Sequence, residues 1–245
     1  TLENTLSLPR GTKLTTSISG EEFQYVVLST QTASLVGRTY TFSNVVIAEG
    51  DTRELKYRVD NDIENQKFQL SHFDADTSTL RVRVQANEGS TAFDVYSKFE
   101  TLRGVDSTSK VYYLQENPSG YYEIYFGDGV TGFKPSNNNI VTVDYVTTKG
   151  VESNGANSFT ITDNLLSGMT QSATLVSASS GGAEAETEES IRFNAPLTFI
   201  AQNRAVTADD YASIIKKEFS NIDSISTWGG EDNDPPEYGK VFVSL

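Results

Sequence analysis

Apolar residues change their spacing once along this chain of 245 residues, and that change restricts the folds the chain can adopt. Over residues 23–146 they alternate with polar residues or are β-branched, and a period of two is typical of strands. Beyond the small-residue segment Ser177–Gly182 the period becomes 3.6, which is typical of helices. The sequence therefore predicts an α+β fold, with a β-rich N-terminal unit over residues 1–175, long enough for two subdomains, and a small helix-helix-strand α/β unit over residues 176–245. The clearest strands are Phe23–Val27, Leu80–Val84 and Ile140–Tyr145.

A β-hairpin is predicted in the middle of the β-rich unit. Tyr113 and Leu114 lead into Asn117–Gly120, where proline and glycine suit a β-turn, and Tyr122–Phe126 forms the returning strand. The following Gly127-Asp128-Gly129 indicates a tight turn, because glycine adopts positive φ without steric cost.

The C-terminal unit begins with two predicted helices. Thr187 is expected to cap the first, in which Ile191 and Ala195 share one face, and Pro196 is expected to kink or divide it because proline has no backbone donor. Thr207 is expected to cap the second helix, which carries acidic residues in its first turn and apolar residues at helical spacing. Lys240–Ser244 is predicted as a short terminal strand.

The composition argues against several classes of partner. With 19 basic and 33 acidic residues the net charge is −14, so we expect neither nucleic acid nor an anionic membrane surface as a partner. No apolar run approaches the ~18 residues that span a bilayer, and the absence of cysteine excludes disulfides and thiolate metal sites. Because the chain begins with Thr1 and shows no basic-then-apolar leader, we expect a fragment of a longer protein with no signal peptide in view.

Catalytic and metal motifs are weak in this sequence. His72 is the one histidine, so a Ser-His-Asp triad would centre on it, yet no Gly-x-Ser-x-Gly segment is present nearby. Asp74 with Asp76, and the segment Glu231–Asp234, have calcium-like spacing without the glycine and distal glutamate of a calcium loop. Asp128 lacks the lysine of a phosphate loop. We therefore predict no catalytic residue, no metal site, no cofactor and no small-molecule substrate.

Short motifs distributed over nearly the whole chain match one known family in residue type and spacing. They are Gly181-Gly182, Glu188-Glu189, Ile191-Arg192, Ala195-Pro196, Arg204-Ala205-Val206-Thr207, Asp210-Tyr211, Phe126-Gly127-Asp128-Gly129 and Pro9-Arg10-Gly11-Thr12. In these motifs the chain resembles the baseplate J-like family of contractile-tailed phages and related injection machines. It departs from the family pattern at Asn203, where a glycine is expected.

The resemblance implies a structural protein of the virion tail baseplate, assembled in the bacterial host cytoplasm. Such a wedge subunit associates with itself, contacts other wedge proteins, links wedges into a ring around the tail tube and relays the change that triggers sheath contraction. No enzymatic activity and no cofactor are implied.

Four residues of the matched motifs are candidates for structural or interface roles, namely Arg192, Arg204, Asp210 and Tyr211. Each arginine lies next to an acidic helix start. One hypothesis is that both arginines act within the chain and tie the acidic turn to the second helix. The other is that they contact a neighbouring subunit, and the sequence leaves both open.

A carbohydrate-binding or glycan-hydrolysing tail protein is the alternative. A catalytic carboxylate pair is defined by its separation in space, so the many acidic residues leave hydrolysis open. The 12 tyrosines would suit a sugar-binding sandwich, although packing in strands explains them equally well. Trp228 is the one tryptophan, and we find no strand repeat of a β-helix.

Overall fold

The computed structural model describes residues 3–100, 104–165, 168, 170–201, 204–219, 222 and 224–244. The chain divides into two compact units, the first made of 1–149 and 156–177, the second of 150–155 and 178–245. The domain boundary predicted near residue 175, between an N-terminal and a C-terminal domain, stays a prediction. No helix among the described residues combines the length and the apolar composition that crossing a membrane would require.

Strands predominate over helices among the described residues, which is compatible with the α+β class. The first unit contains β1 (Thr5–Leu8), β2 (Lys13–Ile18), β3 (Glu21–Val27), β4 (Gln31–Ser34), β5 (Ile47–Glu49), β6 (Asp51–Arg58), β7 (Phe68–Gln69), β8 (Ala75–Gln85), β9 (Phe93–Lys98), β10 (Val111–Glu116), β11 (Tyr122–Phe126), β12 (Ile140–Thr147) and β13 (Thr160–Ile161). The second unit contains α1 (Glu188–Ala201), α2 (Ala208–Glu218), β14 (Ser226–Gly229) and β15 (Val241–Ser244).

A seven-stranded sheet in the order β6-β12-β8-β9-β10-β11-β7 forms the larger part of the first unit. Neighbouring strands are antiparallel, apart from the parallel pair β9 and β10. The Tyr57 hydroxyl on edge strand β6 donates to the Gln69 carbonyl on edge strand β7, so the two edges of the sheet approach each other. The core of this sheet is formed by the buried side chains of Val59, Phe68, Leu70, Ala75, Val82, Val84, Tyr96, Tyr112, Ile124, Val141, Val143 and Tyr145.

A four-stranded sheet in the order β13-β2-β3-β5 has its own core within the first unit. Phe23, Tyr25 and Val27 alternate inward from β3, as a period of two requires, and the Tyr25 ring meets Phe159 edge to face with centroids 4.9 Å apart. The remaining pair, β1 and β4, is antiparallel.

The predicted strands and hairpin are confirmed. Phe23–Val27, Leu80–Val84 and Ile140–Tyr145 lie within β3, β8 and β12. In the hairpin, Tyr113 pairs with Tyr125 across β10 and β11, and the Asn117 side chain accepts hydrogen bonds from the backbone N–H groups of Ser119 (2.9 Å) and Tyr121 (3.1 Å).

The tight turn after the hairpin is also confirmed. Asp128 Oδ1 accepts hydrogen bonds from the backbone N–H groups of Thr131 (3.0 Å) and Val130 (2.9 Å), and these bonds hold the pKa of the Asp128 carboxyl below its ordinary value. A Cβ at Gly127 would lie 2.4 Å from the carbonyl oxygen of Gly132, so the loop closes only with glycine at that position. Asp128 therefore shapes a turn.

The second unit corrects two predictions. The sequence predicted helix, helix and one strand, but β14 precedes the terminal strand and pairs with it antiparallel. Pro196 does not divide α1, which runs unbroken from Glu188 to Ala201. Pro196 has no backbone N–H to donate within the helix, and the kink predicted as the alternative stays a prediction. Asn203, where the family pattern has glycine, lies outside the described residues.

Candidate functional site

The entry into α1 has the predicted cap. Thr187 Oγ1 accepts a hydrogen bond from the Ser190 N–H (3.3 Å), and the Thr187 carbonyl accepts the first helical bond from Ile191 (2.9 Å). A hydroxyl in this position satisfies one of the N–H groups that have no partner within the helix.

Arg192 forms its ion pair within α1. Its Nη2 lies 3.7 Å from Glu188 Oε2, one helical turn away, and both side chains are exposed. Exposed pairs of this kind contribute little to stability, because water competes for both charges. Whether Arg192 also contacts another subunit stays a prediction.

Asp210 completes a capping box at the start of α2. Its carboxylate accepts hydrogen bonds from the backbone N–H groups of Thr207 (2.8 Å) and Val206 (3.1 Å), while Thr207 Oγ1 accepts one from the Asp210 N–H (3.3 Å). The bonds from Thr207 and Val206, followed by the charge of Arg204, hold the pKa of the Asp210 carboxyl below its ordinary value. The structure thus brings Arg204, Asp210 and the helix N-terminus together.

Tyr211 follows directly in the first turn of α2. Its N–H donates to the Thr207 carbonyl (3.3 Å), and its side chain is half-buried. Arg204 is exposed. Of the four candidate residues, Arg204, Asp210 and Tyr211 belong to one helix start, whereas Arg192 lies on α1.

The cap predicts a measurable loss of stability. We expect Thr207→Ala to lower the free energy of unfolding by about 1 kcal/mol, because the Asp210 N–H in the first turn of α2 loses its acceptor. Urea unfolding followed by circular dichroism measures this difference. Thr207→Ser keeps the hydroxyl and is the matched control. Equal losses in both variants would show that the threonine methyl group stabilises this turn, and that the cap does not.

The helix start is anchored to the β14-β15 sheet. Thr227 Oγ1 on β14 donates to the Ala208 carbonyl of α2 (2.7 Å). On the opposite face of the sheet, the rings of Trp228 and Phe242 stack with centroids 5.8 Å apart, and Trp228 Nε1 donates to Asn233 Oδ1 (2.8 Å). Sequence reasoning missed this sheet, because β14 is too short to show an alternation.

The Gly181-Gly182 motif is explained by a contact that the sequence does not reveal. The Asn154 side chain donates to the Gly182 carbonyl (2.7 Å) and accepts from the Gly182 N–H (3.0 Å). A Cβ at Gly182 would lie 2.2 Å from the Gly150 carbonyl oxygen. The motif therefore permits close backbone packing within the second unit, and no local pattern marks Asn154 as its partner.

Large apolar side chains are exposed on α1. Phe193 is 69% exposed and Phe199 is 79% exposed, and Ile191 is also exposed. The predicted shared face of Ile191 and Ala195 is thus exposed too. Single apolar side chains are often exposed on protein surfaces, whereas a contiguous apolar patch marks an interaction surface.

The residues weighed for chemistry have structural roles. His72 Nδ1 lies 2.7 Å from the hydroxyl of Tyr145, a core residue. Asp76 accepts a hydrogen bond from the Ser78 N–H (2.9 Å) within β8, where the register of pairing with β12 shifts. Within the described residues, no group of three or more His, Cys, Asp or Glu side chains is placed to hold a metal ion.

The tyrosines of the hairpin do not form an open sugar platform. Tyr113 and Tyr125 stack on each other with centroids 5.0 Å apart, and Phe99 lies against Tyr113 at 4.6 Å. Because the Tyr113 ring packs against both Phe99 and Tyr125, packing explains these aromatic residues.

One comparison with known proteins matches part of the second unit. The family described as "Baseplate structural protein gp6, C-terminal domain I" matches residues 207–245, which begin at the cap of α2 and include β14 and β15. The chain is similar to phage baseplate proteins. "Baseplate wedge protein gp6" of Enterobacteria phage T4 is 30% identical over an alignment 139 residues long, which covers 47% of this chain and 21% of that protein.

Both matches are to baseplate structural proteins of the gp6 kind. The chain spans about a fifth of the length of the relative, 21%. The baseplate J-like assignment made from the motifs stays a prediction, since the matching family is the gp6 one. The glycan alternative is not favoured.

Proposed function

We propose that this chain is a structural part of a baseplate wedge that associates with itself and links neighbouring wedges into a ring around the tail tube. The match of residues 207–245 to a baseplate structural family carries the proposal. Its partners would be further copies of the chain and other wedge proteins, within a virion assembled in the host cytoplasm. Nucleic acid, membranes and small-molecule substrates are not among the proposed partners.

The proposed mechanism requires contacts that can rearrange. A ring of such subunits would hold a closed shape during assembly and then change its diameter, and so pass the trigger to the contractile sheath. Modest interfaces between compact units suit this task, because packed interfaces have discrete arrangements and switch between them. The division of the chain into two compact units supports the proposal.

The candidate residues have two proposed roles. Asp210 and Tyr211 fix the start of α2 within the chain, through the contacts to Thr207. Arg192 and Arg204 are exposed, and we place them against neighbouring subunits. Because the Arg192 ion pair contributes little to the fold, replacing Arg192 changes association without changing stability.

Sedimentation velocity across a concentration series tests the proposal. We expect concentration-dependent dimers or larger species, and we expect Arg192→Ala to weaken association about fivefold with an unchanged midpoint of thermal unfolding. A chain that sediments as a monomer at every concentration would contradict self-association. An Arg192→Ala variant that associates as tightly as the wild type would show that Arg192 is not part of the interface, and would leave the proposed self-association in place.

A further inference from the structure

The β14-β15 sheet ends in an edge that is not protected. In residues 224–244, β15 pairs with β14 along one side, and the described chain supplies no strand for the other side. A two-stranded sheet is marginally stable in water without further strands or a packed helix. α2 packs against β14 and leaves the outer side of β15 as the incomplete edge.

The alternation of hydrogen bonds identifies the groups at this edge. The Gly230 N–H donates to the Lys240 carbonyl (2.8 Å), so position 240 faces β14. In an antiparallel pair successive residues face alternate sides, and Val241 and Val243 therefore direct their N–H and C=O groups outward. Their side chains are 39% and 41% exposed.

Charge distinguishes this edge from the long edge of the large sheet. β6, at one end of that sheet's strand order, carries Asp51, Arg53, Glu54, Lys56 and Arg58. Charged side chains on an edge strand prevent other strands from pairing with it. β15 has the sequence Val-Phe-Val-Ser and carries no charge. In a chain with a net charge of −14, an uncharged edge is where a second copy approaches at the lowest electrostatic cost.

We propose that β15 pairs antiparallel with β15 of a second copy, which joins two hairpins into one four-stranded sheet. The inference rests on the proposed self-association and assigns it to a strand. A two-fold contact presents the same surface from both partners, so an uncharged strand of β-forming residues meets its own equivalent. The main chain would supply the hydrogen bonds, as in other cases of strand addition.

Val243→Pro tests the pairing. Proline removes the outward N–H and leaves the side of β15 that faces β14 unchanged. We expect the dimer dissociation constant, measured by sedimentation velocity, to rise at least about tenfold, because each copy loses one interchain donor. The fluorescence of Trp228, the one tryptophan, reports whether the hairpin is intact. Val176→Pro, at an exposed position, is the matched control and should leave association unchanged.

A second pair of variants keeps the backbone donor. Val243→Lys and Val243→Glu each place like charges close together at the two-fold contact, so each alone should stay monomeric, while an equimolar mixture should restore the dimer. A mixture that remains monomeric would overturn the proposal. A Val243→Pro variant that dimerises as tightly as the wild type would also overturn the pairing of β15 strands. The proposed self-association would still hold in that case.

Amide hydrogen exchange shows whether the outer edge of β15 is covered by a second copy or by the chain itself. Val241 and Val243 should exchange slowly only at concentrations where the dimer forms. Slow exchange in the monomer would show that the chain itself covers this edge, which would overturn pairing with a second copy. A wild-type chain that is monomeric at every concentration would overturn both this inference and the proposed self-association.

Discussion

Gly50→Ala should lower the free energy of unfolding by about 4 kcal/mol or prevent folding altogether. Gly50 connects β5 of the small sheet to β6 of the large sheet, has φ +121°, and donates its N–H to the Gln24 carbonyl (2.8 Å). A Cβ at this position would lie 1.7 Å from the Thr147 carbonyl oxygen and 2.8 Å from the Thr147 carbonyl carbon. Both are main-chain atoms of β12, so no change of rotamer relieves the overlap.

Gly20→Ala is the matched control for this prediction. Gly20 also has a positive φ, +89°, yet a Cβ there would meet nothing within 4 Å. Its replacement should cost about 1 kcal/mol, the ordinary penalty for a side chain in the left-handed region. Urea unfolding followed by circular dichroism compares the two variants. Similar losses would show that backbone conformation matters at Gly50 and that its contact with Thr147 does not.

Gly50 also shows where sequence reasoning reaches its limit. The strand patterns of β3, β8 and β12 were readable, because β3 and β8 carry their own alternation of apolar residues and β12 is rich in β-branched residues. The need for glycine at residue 50 arises from a strand almost a hundred positions away. A contact of that kind has no local signal, and composition alone cannot separate this glycine from one in an open turn.

In the candidate site, too, the features with a local sequence signal were predictable and those that depend on distant segments were not. The capping box of Thr207 and Asp210 was predictable, since its members are three residues apart and their chemistry is local. The hydrogen bonds between Asn154 and Gly182 and the strand β14 were not predictable, because both depend on segments that meet only after folding. The exposed apolar side chains of α1 were visible as residues, but their exposure was not, because helical spacing alone does not show which face is covered.

Arg83→Met should lower the free energy of unfolding by about 3 kcal/mol at neutral pH. Arg83 on β8 donates from Nε to Asp144 Oδ2 (3.0 Å) and from Nη2 to Asp144 Oδ1 (3.1 Å). The two side chains are 24% and 13% exposed. Methionine keeps much of the apolar stem, and the variant thus leaves the largely buried Asp144 carboxylate without its two-bond donor. It also removes the bond from Arg83 Nη2 to Glu54 Oε2 (3.1 Å), which is half-exposed and contributes less.

The loss should depend on pH in a defined direction. Burial raises the pKa of the Asp144 carboxyl above its ordinary value, and the charge of Arg83 offsets only part of that effect. A raised pKa means that the folded state binds the proton more readily than the unfolded state, so protonation of Asp144 favours folding. Without Arg83 the pKa rises further. The difference between Arg83→Met and wild type should therefore be larger at about pH 7.5 than at about pH 5.

Two further variants show whether the buried pair is responsible. Arg58→Met removes an exposed pair with Glu88, at 2.8 Å, and should cost less than about 1 kcal/mol at either pH. Combining Arg83→Met with Asp144→Leu removes both charges and should recover most of the stability, because the isolated carboxylate is then absent. Were the double variant as unstable as Arg83→Met, the loss would stem from packing around Arg83, and the charge of Asp144 would have no part in it.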